Sequence, residues 1–477
     1  MQQQGPKIVI IGAGSYFFGR KLIWAMNHLE GLADGHLALV DIDPQTLETM
    51  RRLAEKAKEG SQASYMVSAT TDFREAIPDA NFVILSFSNR NAHYRGIDVN
   101  VSANSGIRMC SGDTIGPGGV FRALREFPQV MEIARAVEEI CPSAWLINYI
   151  NPSSVFGIAL SKHTKTKSLA LCDSLHLPNA CYRFMELIGL DRKDVEDFSM
   201  RIAGVNHFTW MLESSFKGED MMPRIHAALR HLGQSETDDL AKAAFNKRIA
   251  AQLADVYGVI PVCVAHTKEY LPYWQGYGPL VDIEDTPPLK LFEHEYRQEQ
   301  TDTFMQETAD YGSGKLPIAE FHEKEKSDHA TDLIQAIWND SGRHLYVNVP
   351  NRGAVPNMAD DALLELECVC DKNGANPIPA PEMPVGLNGL QRQILDTHEL
   401  TVEAYIRKDR SLLLRALAVD PIVNSLAAAE KALVDLYEAE KEALEDWIAP
   451  PEPKEPSEKL SFTPGQSVDL GVTEGNR

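Results

Sequence analysis

The chain has 477 residues, 44% of them hydrophobic and 24% charged, which is the composition of a globular protein with one or two large domains. Its net charge of -22 argues against a broad nucleic-acid-binding surface, because phosphate backbones attract lysine and arginine. No apolar run approaches the ~20 residues of a membrane helix, and the amino terminus lacks the basic and apolar regions of a signal peptide. We therefore expect a cytoplasmic protein without membrane or nucleic-acid partners.

Short apolar runs alternate with amphipathic stretches in the first part of the chain, which predicts a parallel sheet with helices on both faces. The predicted strands here are 7–11, 37–41, 81–87, 145–149 and 168–172, and the predicted helices are 19–32, 44–59 and 127–140. Farther along, the patterns predict helices over 236–257, 328–339, 388–417 and 425–447, and a strand over 344–349.

The alternating pattern and its later change predict two domains and a tail. Residues 1–195 are predicted to form an α/β dinucleotide-binding domain of the Rossmann type, and residues 196–449 a helix-rich α+β domain. Residues 450–477 are rich in proline, glutamate, serine and glycine, which predicts a flexible tail.

A glycine turn follows the first predicted strand and precedes a predicted helix. Gly12 permits a tight turn, and Gly14, next to Ser15, lets the backbone approach a pyrophosphate at the helix N-terminus. Phe17 occupies the usual place of a third glycine. Asp41 ends the next strand, where a carboxylate either accepts hydrogen bonds from the ribose hydroxyls of NAD or serves as a helix-capping or loop carboxylate. The pattern predicts that these five residues bind NAD.

Polar residues gather in segments at predicted strand ends or in glycine-rich loops, where ligands of open α/β sheets bind. These segments are 113–119, 148–152, 172–174 and 204–207. Cys172 is either a buried thiol beside a helix-capping Asp173 or a metal ligand beside an ionisable acid. His207 is either a hydrogen-bonded core residue or a second ligand. A cysteine and a histidine, with substrate oxygens completing the shell, suit Mn²⁺ or a similar divalent ion.

Taken in order, these motifs resemble glycoside hydrolase family 4. The resemblance begins at the glycine turn and includes 113–125, 148–152, 172–173, 204–207, 269–273, 345–349 and 399–403. It implies a glycosidase that departs from the usual two-carboxylate chemistry. Bound NAD oxidises C3 of the sugar, a base removes the acidified C2 proton while a divalent metal stabilises the enediolate, and the C1 oxygen leaves. Water then adds, and the cofactor returns its hydride.

The resemblance also implies roles for particular residues. Cys172 and His207 match the metal ligands, and Asp173 matches the proton donor to the leaving group in α-specific members. Tyr270 matches the base at C2, although it is also readable as an aromatic core residue. An unperturbed tyrosine with a pKa near 10 is a poor base at neutral pH, so the role requires a neighbour that lowers the pKa.

The resemblance also implies a range of possible substrates. Asn151 and Asn206 are expected to contact sugar hydroxyls, although Asn151 is also readable as a turn residue before Pro152. Arg95 is expected either to bind a phosphate or a carboxylate of the sugar or to lie on a solvated helix face. The resemblance is closest to the α-galactosidase and α-galacturonidase branch, which favours an α-galactoside. The alternatives are a galacturonide or glucuronide and other α-glucosides, including 6-phospho-α-glucosides. The resemblance further implies that the chain assembles as a homodimer or a homotetramer.

Two other classes of protein share the predicted first domain. One is an NAD-dependent 2-hydroxy acid dehydrogenase of the lactate or malate dehydrogenase type, in which a histidine–aspartate pair would replace the metal ligands. The other is a regulator that senses NAD without catalysis. The presence of Cys172, Asp173, His207 and Tyr270 favours the glycosidase over both.

Overall fold

The computed structural model of the protein describes residues 5–15, 18–233, 242–274 and 291–451. Within them, strands β1 to β13 are Lys7–Ile11, His36–Val40, Met66–Thr70, Phe82–Leu85, Trp145–Asn148, Lys167–Ala170, Phe198–Val205, Phe208–Phe216, Glu219–Asp220, Ile260–Pro261, Arg343–Pro350, Leu363–Asp371 and Gly374–Pro377. Helices α1 to α16 are Gly19–His28, Pro44–Ala57, Phe73–Ala76, Asn91–Asn104, Gly116–Ile140, Ser153–His163, Asn179–Leu187, Met222–Gly233, Lys242–Tyr257, Val264–Thr267, His294–Ser313, Ile318–Lys324, His329–Trp338, Val385–Arg407, Ser411–Val419 and Leu426–Glu440.

The larger sheet has the strand order β13-β12-β11-β6-β5-β4-β1-β2-β3. Every pair from β6 to β3 is parallel, and this part has the order of a Rossmann fold, with its switch point between β1 and β4. Strands β11, β12 and β13 extend the sheet in the antiparallel direction. The predicted α/β class with a Rossmann-type parallel sheet is confirmed.

Strand β1 shows why this sheet is buried on both faces. Its side chains alternate, so that Ile8 and Ile10 pack into one hydrophobic core while Val9 and Ile11 pack into the core on the opposite face. A strand covered on both faces needs a continuous apolar run, and the four residues that follow Lys7 in β1 supply one. The carboxyl ends of the parallel strands are thereby held at one edge.

The chain after residue 195 contributes nine of the sixteen described α-helices and a small antiparallel sheet of β7, β8, β9 and β10. It also supplies β11, β12 and β13 to the larger sheet, across the boundary predicted after residue 195. The division into domains therefore stays a prediction. No described helix is long and apolar enough to span a bilayer.

Some predicted elements differ from the structure in their bounds. The helix predicted over 388–417 is two helices, because Lys408 adopts a left-handed conformation with φ of 52° after α14. The helix predicted over 425–447 ends at Glu440, where a short 3-10 turn follows. The beginning of the helix predicted over 236–257, and nearly all of the predicted tail, lie outside the described residues.

Candidate active site

The glycine turn lies at the carboxyl end of β1, as predicted. Gly12 has a φ of +89°, and a β-carbon there would lie 2.3 Å from the carbonyl oxygen of Ser86. The Gly14 N–H donates to Asp41 Oδ2 at 2.9 Å, and the Ser15 N–H donates to the Gly12 carbonyl at 3.0 Å. The turn and the carboxylate after β2 therefore form one hydrogen-bonded unit.

Gly19 supplies the close helix–strand approach that the third glycine of the Rossmann fingerprint usually provides. A β-carbon on Gly19 would lie 2.1 Å from the carbonyl oxygen of Ala13, so only glycine fits at the start of α1. Phe17, which the sequence predicts in the cofactor site, lies outside the described residues. The sequence interpretation missed Gly19 because the usual spacing places the third glycine at Phe17.

Cys172 and His207 meet although they come from different sheets. Cys172 follows β6, and His207 lies in the two-residue turn between β7 and β8. Cys172 Sγ lies 3.0 Å from His207 Nε2 and 3.1 Å from Ser174 Oγ. Burial raises the pKa of the Cys172 thiol and lowers the pKa of His207. The two predicted ligands thus face each other in a water-poor environment.

His207 is held in place by several contacts. Its φ of 66° lies in the left-handed region, which residues other than glycine seldom occupy. Its ring stacks on His266 with centroids 4.0 Å apart, and Thr267 Oγ1 donates to its carbonyl oxygen at 3.1 Å. The His266 Nδ1 is 3.2 Å from Cys263 Sγ. Burial lowers the pKa of His266 to about 3, so the stacked partner is neutral.

The Cys172–His207 pair fits a divalent metal. A sulfur and a nitrogen that each bind one ion at about 2.0–2.3 Å can lie 3.0 Å apart as neighbouring ligands. Among the described residues, no group of three or more histidine, cysteine, aspartate or glutamate side chains could hold a metal. The pair therefore suits an open site whose remaining ligands come from substrate or water.

Asp113 joins two predicted substrate residues. Its carboxylate lies 3.3 Å from Arg95 Nη2 and accepts a hydrogen bond from Asn151 Nδ2 at 3.3 Å. Ser111 Oγ donates to its other oxygen at 2.7 Å. Burial opposes the charge of Asp113, but Arg95 and Arg122 outweigh it and hold the pKa below its usual range. Asp113 is therefore a buried anion at the centre of this cluster.

Asn206 is oriented by a carboxyl group that the sequence interpretation did not single out. Its Nδ2 donates to Glu365 Oε1 at 3.2 Å, and Thr209 Oγ1 donates to the other Glu365 oxygen. Burial and the nearby Cys172 raise the pKa of Glu365 to about 8. Glu365 thus connects β12 to the turn that carries His207.

Tyr270 is buried, with 1% of its surface exposed, and its hydroxyl donates to the Asn206 carbonyl at 3.2 Å. Its neighbour Glu269 accepts hydrogen bonds from the backbone N–H groups of Cys110 at 2.9 Å and Ser111 at 2.6 Å. Burial raises the pKa of Tyr270 well above its usual value. These contacts tie the tyrosine both to the His207 turn and to the loop before Asp113.

Asp173 faces away from the thiol of its neighbour toward α1 and α13. Its Oδ2 is 2.8 Å from Lys21 Nζ, and its Oδ1 accepts the backbone N–H of His329 at 3.3 Å. Burial and the charge of Asp173 raise the pKa of Asp328 to about 6. Asp173 therefore belongs to a small charged network beside the Cys172–His207 pair.

The comparisons with known proteins agree along nearly the whole chain. Residues 7–185 match the model of the family 4 glycosyl hydrolases, and residues 202–423 match the model of that family's C-terminal domain. The chain belongs to the family 4 glycosyl hydrolases. This confirms the resemblance predicted from the motifs, and it identifies the protein as a glycosidase.

Two curated relatives of this family 4 glycosyl hydrolase come from Bacillus subtilis (strain 168). An alpha-galactosidase is 28% identical over 450 residues, covering 93% of this chain and 99% of the relative. An alpha-galacturonidase is 28% identical over 428 residues, covering 88% and 93%. A solved 6-phospho-alpha-glucosidase from gut microorganisms, in complex with NAD and Mn2+, is 22% identical with a TM-score of 0.76, covering 92% of this chain and 99% of that chain. The last similarity supports the fold.

The candidate site thus brings together several residues that the sequence singled out and some to which it gave no role. Cys172, His207, Asn206 and Tyr270 form one connected group through the contacts described above. Three buried carboxylates that orient these residues were given no role of their own in the sequence interpretation: Asp113, Glu269 and Glu365. The signal for Asp113 was present in its glycine-rich loop, whereas the other two depend on contacts with distant parts of the chain.

Proposed function

We propose that this family 4 glycosyl hydrolase cleaves an α-glycosidic bond with NAD and a divalent ion such as Mn²⁺, and that its substrate is an α-galactoside or a similar neutral sugar. NAD would supply hydride transfer at C3, and the ion would supply positive charge beside the C2 and C3 oxygens. Support comes from the NAD and Mn2+ in the related solved structure.

The cofactor site follows from the glycine turn and α1. A β-carbon would lie 2.3 Å from the Ser86 carbonyl oxygen at Gly12 and 2.1 Å from Thr46 Cγ2 at Gly14, so glycine at both positions lets the turn form, and a pyrophosphate could approach the backbone beside it. Asp41 is positioned by the Gly14 N–H at the end of β2, where it can accept hydrogen bonds from ribose hydroxyls. The close packing at Gly19 holds the helix at the required distance from β1.

The single observation that carries the proposal is the 3.0 Å approach of Cys172 Sγ to His207 Nε2. A dehydrogenase of the lactate or malate type has no use for a thiol and an imidazole at this place. His207 is buried and Cys172 is half-buried, and this low exposure to water strengthens their interaction with a cation. These two residues would hold the ion, and the sugar oxygens would complete its shell.

Proton transfer is assigned to two residues on either side of this pair. Tyr270 would accept the C2 proton, because its hydroxyl is held next to the His207 turn. Burial raises its pKa, so it acts as a base only when positive charge lies beside it. Asp173 would protonate the leaving oxygen, which requires that it exchange Lys21 or the His329 N–H for the substrate.

The preference for a neutral sugar rests on the pairing of Arg95. Its guanidinium donates to Ser111 and lies 3.3 Å from Asp113, so its charge is compensated within the protein. A sugar carboxylate or phosphate at this place would meet the buried negative charge of Asp113. A hydroxyl, by contrast, can donate to Asp113 and accept from Asn151.

The decisive experiment measures cleavage and isotope exchange together. Aryl α-galactosides, α-glucosides, α-galacturonides and 6-phospho-α-glucosides are incubated with the protein, NAD, Mn²⁺ and a thiol reductant in deuterated water. We expect cleavage of the neutral α-galactoside that requires both NAD and Mn²⁺, with deuterium at C2 of the released sugar. Cleavage without deuterium at C2 contradicts the mechanism, net NADH formation indicates a dehydrogenase, and inertness across the panel indicates a regulator.

A further inference from the structure

A cavity of about 310 Å³ opens beside Asp173. Its walls are the first turn of α1, the start of α7 and the segment that precedes α13. Cationic side chains from each wall line it, namely Lys21, Arg183, Lys324 and Lys326. Its volume lies at the lower end of the range of small-molecule sites, about 300–1,000 Å³.

The cations of this cavity stand out against the charge of the whole chain. The chain has 68 aspartates and glutamates against 46 lysines and arginines, whereas cations outnumber carboxylates along these walls. The carboxylates that line the cavity are Asp173 and Glu325, and each already has a cationic partner. Lys21 lies 2.8 Å from Asp173, and Arg20 lies 2.6 Å from Glu325. No negative charge is left over on the walls.

Two of the lining cations have uncompensated charge. Arg183 donates to the carbonyl oxygen of Ser174 at 2.8 Å, which leaves its charge without a counterion. Arg183 and Lys326 are both exposed, and both line the cavity. Within the part of the chain that the structure describes, no carboxylate lies within ion-pair distance of Arg183 or Lys326. An anion in the cavity would supply the missing counterion.

The start of α7 adds to this positive potential. Its first residues, Asn179 and Ala180, line the cavity, and the N-cap position is Pro178, which provides no side-chain cap. The first N–H groups of a helix carry a partial positive charge that favours anions. The Ala180 N–H already donates to the His176 carbonyl oxygen at 3.0 Å, so the helix end reinforces the charge of the surrounding side chains through its dipole and not through that N–H.

We propose that this cavity is the leaving-group subsite and that it takes an aglycone carrying a carboxylate or a phosphate. The inference rests on the proposed function, in which Asp173 protonates the leaving oxygen: a group that departs from Asp173 enters the cavity that Asp173 lines. The sugar itself would lie against Asp113 and Asn151, where the structure disfavours an anion. The two ends of the substrate thus differ in charge.

Calorimetry tests the anion site without turnover. The probes are 4-hydroxybenzoate, its neutral counterpart 4-hydroxybenzamide, and phenyl phosphate, each titrated into the full chain. We expect the anions to bind about tenfold more tightly than the amide, the size of one charge-assisted hydrogen bond. The double variant Arg183→Gln/Lys326→Gln should lose this difference, while the surface control Lys372→Gln should retain it. Equal binding of acid and amide, or retention of the difference by the double variant, overturns the proposal; the preferred anion identifies the aglycone chemistry.

Kinetic measurements then test whether the anion site binds the leaving group during the reaction. The substrates are the 4-carboxyphenyl and 4-carbamoylphenyl glycosides of the sugar that the panel identifies, and the measured quantity is the ratio of their kcat/KM values. We expect the wild type to favour the carboxylate by about tenfold, mainly through KM, and the double variant to lose this preference. A ratio near one in an active wild-type enzyme overturns the subsite assignment. Inertness toward both glycosides, with anion binding intact, overturns the proposed function instead.

Discussion

The Cys172 thiol contributes to the proposed reaction only if it binds a metal ion. Burial raises its pKa, and its neighbours are the neutral groups Ser174 Oγ and His207 Nε2. A structural thiol in this position would tolerate serine, because the two side chains have similar shapes. A metal ligand would not, because a serine hydroxyl binds borderline divalent ions much more weakly than a thiolate does.

Replacement of Cys172 by serine separates these two roles. We expect Cys172→Ser to lower kcat by about 100-fold or more, since even outer-shell partners of metal ligands cost 10–100-fold when lost. The Mn²⁺ concentration needed for half-maximal activity should rise, and NAD affinity measured by fluorescence titration should stay within twofold. Cys141→Ser, at a buried cysteine remote from the site, is the control. Full activity in Cys172→Ser would show that the ligand assignment is wrong.

Asp173 offers a test that depends on the leaving group. A general acid contributes about 10²–10⁴-fold, and its loss is felt most when the departing oxygen is strongly basic. We therefore expect Asp173→Asn to slow an alkyl glycoside strongly and a 4-nitrophenyl glycoside much less. The measurement is kcat/KM for both glycosides in both proteins. An equal loss on the two substrates would assign Asp173 to positioning through Lys21 and His329 instead.

At the residue scale, the sequence singled out the proposed ionisable and metal-binding groups but not all of the carboxylates that support them. Cys172 and His207 are separated by 34 intervening positions, yet each stands in a recognisable polar segment, and the structure brings them together. Glu365 looks like an ordinary carboxylate in the sequence, and Glu269 stands in a segment of the family resemblance without a role of its own. Their importance comes from burial and from hydrogen bonds to loops far away in the chain, which no local pattern encodes.

At the scale of elements, the beginning of α1 depends on the missing side chain of Gly19. A β-carbon there would lie 2.1 Å from the Ala13 carbonyl, so the helix would have to move away from β1. We expect Gly19→Ala to reduce stability by ~1–3 kcal/mol, the usual cost of overpacking. NAD affinity should fall with it, because the turn that we propose to hold the pyrophosphate would shift. Urea unfolding and NAD titration measure the two effects.

Gly389 provides the matched control for this substitution. It lies within α14, and a β-carbon there would meet no atom within 4 Å. Gly389→Ala should therefore raise the stability by up to ~1 kcal/mol, because alanine loses less backbone entropy in a helix. If Gly19→Ala is as stable as the wild type and binds NAD normally, the close approach at α1 does not matter.

The elements of the first half were more predictable than those of the second. Strand β1 was predicted with its observed bounds, since an apolar strand before a glycine turn is a strong local signal. Strands β12 and β13 were not predicted, although they complete the larger sheet. Their pairing partners are distant in the sequence, and antiparallel extension of a parallel sheet has no local signature. The break between α14 and α15 depends on the left-handed backbone conformation of Lys408, and a lysine in the sequence does not indicate a helix end.

At the scale of the whole molecule, buried ionisable side chains connect the C-terminal helices to the helices of the Rossmann-type region. Arg125 of α5 bonds to Asp98 of α4 at 2.6 Å and to Glu440 at the end of α16. Asp420, which follows α15, accepts the backbone N–H of Gly116 at the start of α5 at 2.9 Å. Such groups connect the two ends of the chain, so their ionisation affects the stability of the entire fold.

Asp420 makes that stability depend on pH. Burial raises its pKa to about 7, although hydrogen bonds from Ile422 and Gly116 oppose the shift. In the unfolded chain its pKa is near the ordinary 3.9. The unfolded aspartate therefore ionises first as the pH rises, and its contribution to stability, complete below about pH 4, is lost by about pH 7. Each pH unit between the two pKa values corresponds to about 1.4 kcal/mol of folding stability.

The substitution Asp420→Asn should remove this dependence. An asparagine keeps one acceptor for the two N–H groups, so the variant loses a hydrogen bond at every pH, but its unfolding free energy should fall less steeply than that of the wild type between pH 4 and 7. Urea unfolding across this interval measures the slope. Asp409→Asn is the control: Asp409 is exposed, and bonds from Ser411 lower its pKa, so its effect is confined to pH values below about 4. Parallel curves for the wild type and Asp420→Asn between pH 4 and 7 would show that the buried carboxyl does not titrate with folding.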